Sequence, residues 1–195
     1  MSFNNPIAPL DSDWELRWAP YDGPTYRAVL EQLEASDVVI EIGAGDLRLA
    51  RQMAATSKRV YAVEINTEVL AQGLGSEQAL PGNLIPIQAD ARIMDFPSEV
   101  TVAVLIMRHC THFRLYAEEL KAKGCPKLIT NARWHMGVET VALQGPRLSF
   151  AEVEIGWYAC WCGAAGFKSG PVEKLTPAAE AIIHEVMDCP KCLAR

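Results

Sequence analysis

The segment around residue 40 restricts the possible fold more than any other part of the chain. Residues 38–42 are apolar and mostly β-branched apart from Glu41, and they lead into Gly43-Ala44-Gly45. A helix-like spacing of apolar residues follows over 46–56. This order predicts a buried strand, a tight turn and a helix, and glycine in the turn lets a ligand approach the backbone closely. An adenosine-type cofactor at the carboxyl edge of a parallel sheet would fit such a turn.

The same alternation continues through the first two-thirds of the chain. The pattern predicts strands at 37–42, 59–64, 83–88, 100–107 and 127–131, and helices at 24–35, 46–56, 67–74 and 111–123. Apolar strands separated by helices indicate an α/β, Rossmann-like core in which a mostly parallel sheet is covered by helices on both faces. Residues 138–143 and 152–160 also have strand character. They either complete this sheet as an antiparallel hairpin or belong to a separate C-terminal unit.

Composition narrows the class of protein. The chain has 195 residues, 50% of them hydrophobic and 22% charged, which predicts a globular protein with one domain and a small appendage. It has no apolar run near the roughly 20 residues that span a bilayer, and its N-terminus lacks the features of a signal peptide. We therefore expect a cytoplasmic protein with no membrane partner. A net charge of −6 argues against a broad basic groove for nucleic acid, and the sequence indicates no oligomeric state.

Acidic residues at two strand ends distinguish between cofactors. A nicotinamide or flavin fingerprint has a third glycine where this chain has Arg48, whose side chain would obstruct close helix–strand packing. Glu64 ends the second strand, where a carboxylate is placed to accept hydrogen bonds from both hydroxyls of a ribose. Asp90 follows the third strand and is placed to accept a hydrogen bond from an adenine amino group.

Residues 41–45, 60–66 and 88–91 resemble three successive motifs of the class I S-adenosyl-L-methionine-dependent methyltransferases. The resemblance covers residues 37–95. In detail, this region is similar to the rRNA adenine dimethyltransferases. It implies a class I methyltransferase core, with Glu41 orienting the loop or meeting the cofactor's amino group through water. The other cofactor-binding residues that it implies are Gly43, Ala44 and Gly45 beside the methionine part, Glu64 and Ile65 at the ribose, Asp90 and Ala91 at the adenine, and Met107.

The resemblance ends after the fourth strand. The rRNA adenine dimethyltransferases have an Asn-x-Pro-aromatic motif there, whereas this chain has Met107-Arg108-His109-Cys110-Thr111-His112-Phe113. His109 and His112 are candidate general bases for methyl transfer, and Arg108 is a candidate for holding an acidic or phosphate group. The alternative is that His109 caps the strand and His112 starts a helix that faces solvent. The methyl acceptor stays open among an RNA base, a protein side chain and a small molecule. The alternative function is a non-catalytic S-adenosylmethionine-binding or scaffold module.

Two close pairs of cysteines lie in the last third of the chain. Cys160-Trp161-Cys162 and Cys189-Pro190-Lys191-Cys192 flank a segment, 177–186, that has the pattern of a helix. Paired thiolates on tight turns suit a tetrahedral, structural Zn2+ site, while buried free thiols are the alternative. The sequence therefore predicts an S-adenosylmethionine-binding domain over 1–135, followed by C-terminal strands and a zinc-ribbon-like module over 136–195.

Overall fold

The computed structural model describes residues 23–76, 78–108, 110–133 and 137–194. The strands in these ranges are β1 (Val38–Ile42), β2 (Arg59–Glu64), β3 (Leu84–Gln88), β4 (Val102–Leu105), β5 (Lys127–Thr130), β6 (Glu139–Ala142), β7 (Gly156–Cys160), β8 (Ala165–Lys168) and β9 (Ile183–Val186). The α-helices are α1 (Gly23–Leu30), α2 (Arg48–Thr56), α3 (Thr67–Leu74), α4 (Phe113–Ala122), α5 (Pro177–Ala181) and α6 (Pro190–Leu193). None of the helices described is both long and apolar enough to cross a membrane.

The larger sheet has the strand order β3-β2-β1-β4-β5-β6. β1 to β5 are parallel, and β6 runs antiparallel to β5. The chain moves outward from β1 to β3 and returns to β4 on the other side of β1, so the strand order reverses between β1 and β4. Open α/β sheets bind ligands at the carboxyl edge beside such a reversal. The predicted Rossmann-like, mostly parallel architecture is confirmed.

Two hydrophobic cores lie on opposite faces of the larger sheet. Successive side chains of β1 point to opposite faces of the sheet. Val39 packs with α2 in one core, and Ile40 packs with α4 in the other. Every residue of β1 and β4 is buried, as expected for strands covered on both faces. The loops at the carboxyl ends of these two strands are therefore anchored on the most rigid part of the fold.

The smaller sheet, in the order β8-β7-β9, carries the cysteine pairs. The helix predicted at 177–186 is wrong in its second half, because α5 ends at Ala181 and residues 183–186 form β9, parallel to β7. The β-branched residues Ile182 and Ile183 favour extended backbone. Pairing with β7 also buries Val186 beside Cys160, which the pattern of residues 177–186 alone did not indicate.

The two strand segments after residue 137 lie in different sheets. β6 pairs with β5 in the larger sheet, whereas β7 is the central strand of the smaller sheet. The division of the chain into 1–135 and 136–195 stays a prediction, and by its pairing β6 belongs to the larger sheet.

Two buried side chains join the sheets. Trp161 is 1% exposed and packs into the core on the α4 face of the larger sheet. Arg133, 2% exposed and located after β5, forms ion pairs with Glu139 of β6 and Glu185 of β9. These contacts fix the cysteine-bearing sheet beside the carboxyl edge of the larger one.

Candidate functional site

The turn after β1, residues 43–45, is shaped by its two glycines. Gly43 and Gly45 have φ angles of 77° and 56°, in the left-handed region that glycine adopts without steric cost. The backbone N–H groups of Gly43 and Ala44 both donate to the carbonyl oxygen of Val63 in β2, each at 2.9 Å. This glycine turn is therefore pinned to the neighbouring strand.

Glu64, at the end of β2, holds the glycine turn from the other side. Its Oε2 accepts the backbone N–H of Gly45 at 2.9 Å, and its Oε1 accepts the N–H of Asn66 at 2.8 Å. The carboxylate is buried, but each oxygen can accept a second hydrogen bond. The neighbouring residue, Ile65, is 54% exposed and offers an apolar surface beside it. Glu64 thus connects the loops after β1 and β2 where a ribose-binding carboxylate is expected.

Glu41 is a buried carboxyl group, 4% exposed, directly before the glycine turn. Its Oε2 has no hydrogen-bond partner among the described residues. Burial raises the pKa of Glu41 well above its usual range, and the negative charges of Asp46 and Glu64 raise it further. A buried, unpaired carboxyl group is costly to the fold, and such groups concentrate at functional sites.

Gly73 lets α3 contact the loop that follows the glycine turn. A Cβ atom at Gly73 would lie 2.4 Å from the carbonyl oxygen of Asp46 and 2.9 Å from Cγ of Leu47. The guanidinium of Arg51 in α2 donates to the carbonyl oxygen of Gly73 at 2.9 Å. Sequence reasoning missed this role, since glycine late in a helical pattern normally indicates only the end of the helix.

Asp90, after β3, is held by its neighbour Arg92. The Arg92 guanidinium contacts both carboxylate oxygens, and Nε donates to Oδ1 at 2.9 Å. Side-chain and backbone hydrogen bonds from Arg92 lower the pKa of Asp90 to about 2, with a smaller contribution from the charge of His112. Ala91 packs against the core on the α4 face. Asp90 is therefore ionised at neutral pH, and any adenine amino group would share it with Arg92.

The segment after β4 places two of its predicted residues near the carboxyl edge of the larger sheet. Met107 covers the glycine turn, because its Cε lies 2.9 Å from the position of a Cβ at Gly43. His112 precedes α4, and its ring meets Tyr116 edge-on with centroids 6.3 Å apart. Arg108 is exposed, and His109 lies outside the described residues. The catalytic roles of His109, His112 and Arg108 stay predictions.

A cavity of about 920 Å³ separates this segment from the cysteine-bearing sheet. It lies at the carboxyl edge of the larger sheet, because Cys110 and Thr111 follow β4 and Ala132 follows β5. Its volume is in the range of small-molecule sites. The cavity is lined by Cys110, Thr111, Arg114, Ala132, Trp161, Cys162, Gly163, Ala164, Ala165, Lys191 and Cys192.

The four paired cysteines come together as predicted. Their sulfur atoms all lie within 4.8 Å of one another, and Cys160, Cys162, Cys189 and Cys192 are free thiols in the structure. The Sγ–Sγ distances are 3.5 Å for Cys162–Cys189, 3.7 Å for Cys160–Cys192 and 3.8 Å for Cys189–Cys192. Four sulfurs bound to zinc at about 2.3 Å lie about 3.8 Å apart at the corners of a tetrahedron. The donor set and its spacing therefore fit a tetrahedral metal ion.

Two arginines contribute positive charge at the cysteine cluster, and sequence reasoning did not identify them. Arg114 of α4 donates to Sγ of Cys192 at 3.2 Å. The Arg147 guanidinium stacks on Trp161 at 4.0 Å from the ring centroid and interacts electrostatically with Cys160. Burial raises the pKa of the Cys160 thiol to about 12, and the other cysteines contribute to this shift. A bound cation would relieve this cost by stabilising the thiolates.

Several solved structures with a similar fold are methyltransferases. An RNA methyltransferase from Salinibacter ruber, in complex with S-adenosyl-L-homocysteine, aligns with a TM-score of 0.50 and 23% identity over 57% of this chain and 76% of that one. A Haemonchus contortus phosphoethanolamine N-methyltransferase, in complex with phosphoethanolamine and S-adenosylhomocysteine, has a TM-score of 0.50 and 16% identity over 59% and 26%. A Plasmodium falciparum dimethyladenosine transferase has a TM-score of 0.48 and 17% identity over 56% and 41%.

These similarities show the fold of the larger sheet. The chain spans 41% of the length of the Plasmodium protein and 76% of the Salinibacter protein. No protein-family model and no curated protein matches the sequence. The expected class I methyltransferase fold is thus confirmed by structure, at sequence identities too low to transfer an activity.

Proposed function

We propose that the protein is an S-adenosylmethionine-dependent methyltransferase. The observation that carries this proposal is the buried Glu64 carboxylate, which links the glycine turn to the loop after β2 at the carboxyl edge of the sheet. Two structures of the same fold, the Salinibacter and Haemonchus enzymes, hold S-adenosylhomocysteine. The cofactor would supply a methyl group bound to a sulfonium, which passes to a lone pair of the acceptor as the C–S bond breaks.

The loops after β1 to β4 would each bind a different part of the cofactor. We assign the methionine part to Gly43, Ala44 and Gly45, and the ribose to Glu64 and Ile65. The adenine would lie at Asp90 and Ala91, Met107 would cover the turn, and Glu41 would orient it or meet the amino group through water. A bound ammonium group would also relieve the cost of burying Glu41 without a partner.

Calorimetry with S-adenosylmethionine and S-adenosylhomocysteine tests this assignment when combined with a matched pair of glycine variants. Gly43 and Gly124 both have positive φ, 77° and 83°. Alanine at either position costs about 1–2 kcal/mol in backbone strain. Only at Gly43 does the new Cβ meet Met107; nothing lies within 4 Å at Gly124.

We expect Gly43→Ala to weaken S-adenosylhomocysteine binding at least tenfold, and Gly124→Ala to lose similar stability with unchanged binding. If neither compound binds the wild-type protein, the proposed function is wrong. Equal losses of affinity in the two variants would remove the glycine turn from the assignment.

We further propose that Cys160, Cys162, Cys189 and Cys192 hold a structural Zn2+ ion. The sulfur spacing supports a site with four protein ligands and no open position, which serves folding and leaves the chemistry to other residues. Elemental analysis should find one zinc ion per chain in the wild-type protein and none in Cys189→Ser. The matched control is Cys125→Ser, a buried thiol remote from the cluster that donates to the carbonyl oxygen of Lys127. A folded, metal-free wild-type protein would contradict the proposal.

The acceptor is proposed only as a nucleophile of RNA, protein or a small molecule. Transfer of a labelled methyl group into cell extract, fractionated into these three classes, identifies it. The alternative is a non-catalytic S-adenosylmethionine-binding or scaffold module, which is favoured by the segment 107–113 that replaces the expected acceptor motif. Cofactor binding without transfer into any fraction would support that alternative. The cytoplasmic location stays a prediction from the sequence.

A further inference from the structure

We propose that the cavity between α4 and the cysteine-bearing sheet binds an anionic group, a carboxylate or phosphate carried by the methyl acceptor. Lys191 would supply the charge, and Arg114 and Thr111 would donate further hydrogen bonds. Assigning the anion to the acceptor rests on the proposed methyltransferase function. The presence of an anion site in this cavity can be measured independently.

The charges that line the cavity are the first reason. Lys191 on α6 and Arg114 on α4 both line the cavity, and both are exposed. Apart from the thiols of Cys110, Cys162 and Cys192, none of the described residues that line the cavity is acidic. Thr111 adds a hydroxyl donor on the α4 side. A pocket of this kind attracts anions although the whole chain carries a net charge of −6.

The balance of charge at the cysteine cluster leaves Lys191 uncompensated. A divalent ion bound by four thiolates has a net charge of −2. Arg114, in contact with Cys192, and Arg147, beside Cys160, supply positive charge that offsets it, and Arg147 also interacts with Glu185 and Glu118. Lys191 lies on α6, between Cys189 and Cys192, and forms no ion pair among the described residues. Lys191 is therefore a positive charge on the cavity wall that no described carboxylate neutralises in an ion pair.

The start of α4 adds to this positive potential. α4 has ten residues, and its N-cap residue His112 makes no side-chain hydrogen bond to the first turn. Thr111 and Arg114 line the cavity on either side of this N-terminus. Unsatisfied N–H groups and the helix dipole favour an anion nearby. The cavity thus receives positive potential from Lys191 and one helix end, and Arg114 is a further hydrogen-bond donor on its wall.

The cavity lining is close in sequence to the proposed cofactor site. Met107 covers the glycine turn, and the carbonyl oxygen of Met107 accepts the backbone N–H of Cys110 at 3.2 Å. Cys110 lines the cavity. A single turn after β4 therefore separates the two sites, and an anion bound in the cavity would orient an acceptor toward the methyl donor.

Binding of inorganic phosphate and of acetate to the zinc-loaded full chain tests this inference. Saturating S-adenosylhomocysteine would occupy the cofactor site, phosphate would be followed by ³¹P linewidth, and acetate by saturation transfer, all at constant ionic strength. Lys191→Gln is the test variant. The matched control is Lys58→Gln, an exposed lysine at the amino edge of the sheet, before β2. Zinc content is measured in each protein.

We expect one or both anions to bind the wild-type protein, about tenfold more weakly in Lys191→Gln and unchanged in Lys58→Gln. Preference for phosphate or for acetate distinguishes the two kinds of acceptor. Absence of binding by both anions, or equal binding in Lys191→Gln and the wild type, would overturn the inference. If S-adenosylhomocysteine fails to bind, the proposed function fails, and the same anion titration still decides whether the cavity is an anion site.

Discussion

Replacing Gly73 by alanine has two opposing effects on stability. Alanine favours the helix, but its Cβ would collide with the loop that follows the glycine turn. Alanine in a helix interior is normally better than glycine by about 1 kcal/mol. At Gly73, however, the added Cβ would lie 2.4 Å from the carbonyl oxygen and 2.6 Å from the carbonyl carbon of Asp46. Both obstacles are backbone atoms of the loop that begins at Gly43, so no side-chain rotation can relieve the contact.

The size of the effect follows from this geometry. An ordinary contact begins at 3.4 Å, so α3 and the Asp46 loop must separate by the difference from 2.4 Å, about 1 Å. Overpacking of this kind costs up to about 3 kcal/mol, and subtracting the helix gain leaves a net loss of about 2 kcal/mol. For a chain of this length, that loss lowers Tm by about 4–8 °C.

Thermal unfolding and S-adenosylhomocysteine calorimetry on Gly73→Ala measure both consequences. Because the displaced loop continues from the glycine turn, we expect binding to weaken at least tenfold. The control, Gly82→Ala, adds a Cβ with nothing within 4 Å and should change neither quantity. A Tm at or above the wild-type value, with unchanged affinity, would refute the packing of α3 on this loop.

Three further predictions follow from the buried groups. Arg133→Met leaves Glu139 and Glu185 unpaired. It should lower the free energy of unfolding, measured by urea titration, by about 3–5 kcal/mol, and by less at acidic pH. A loss below about 1 kcal/mol would contradict a buried ion-pair network. Because the pKa of Glu41 is raised in the folded state, its stability contribution is present at low pH and lost as pH rises from the unfolded pKa through the folded one. Glu41→Gln should therefore flatten the decline of Tm as pH rises above about 4.3 while weakening cofactor binding. An unchanged pH profile would argue against a buried, ionisable Glu41. Chelation of zinc should red-shift the fluorescence of buried Trp161, a change that the Trp161→Phe variant should lack.

The sequence predicted some elements better than others for a physical reason. β2 and α3 have the predicted bounds, 59–64 and 67–74. Asn66 follows β2 closely and caps α3 through its side chain, which fixes where the helix begins. β4 was predicted at 100–107 but pairs only over 102–105, because apolar residues continue beyond the last ladder hydrogen bonds.

Residues 177–186 show where a local pattern is insufficient. A proline start and alanines predict a helix, and the helix does form over 177–181. Whether the next residues continue it depends on β7, which offers an open edge for pairing at residues 157–160. Strand pairing is a long-range contact, so the helical pattern could not show that β9 begins at Ile183.

The sequence by itself determined the features that are encoded within a few residues. These are the alternation of strands and helices, the glycine turn, the acidic strand ends and the two cysteine pairs. Periodicity and turn chemistry act locally, and a single chain displays them. The tertiary structure decided which of these features meet. Arg114 and Cys192 are 78 positions apart but lie 3.2 Å from each other. Glycine is required at position 73 because α3 packs there against the backbone of Asp46. The cavity and its charges exist because two sheets pack together, and that packing depends on the summed burial and ion pairing of distant residues.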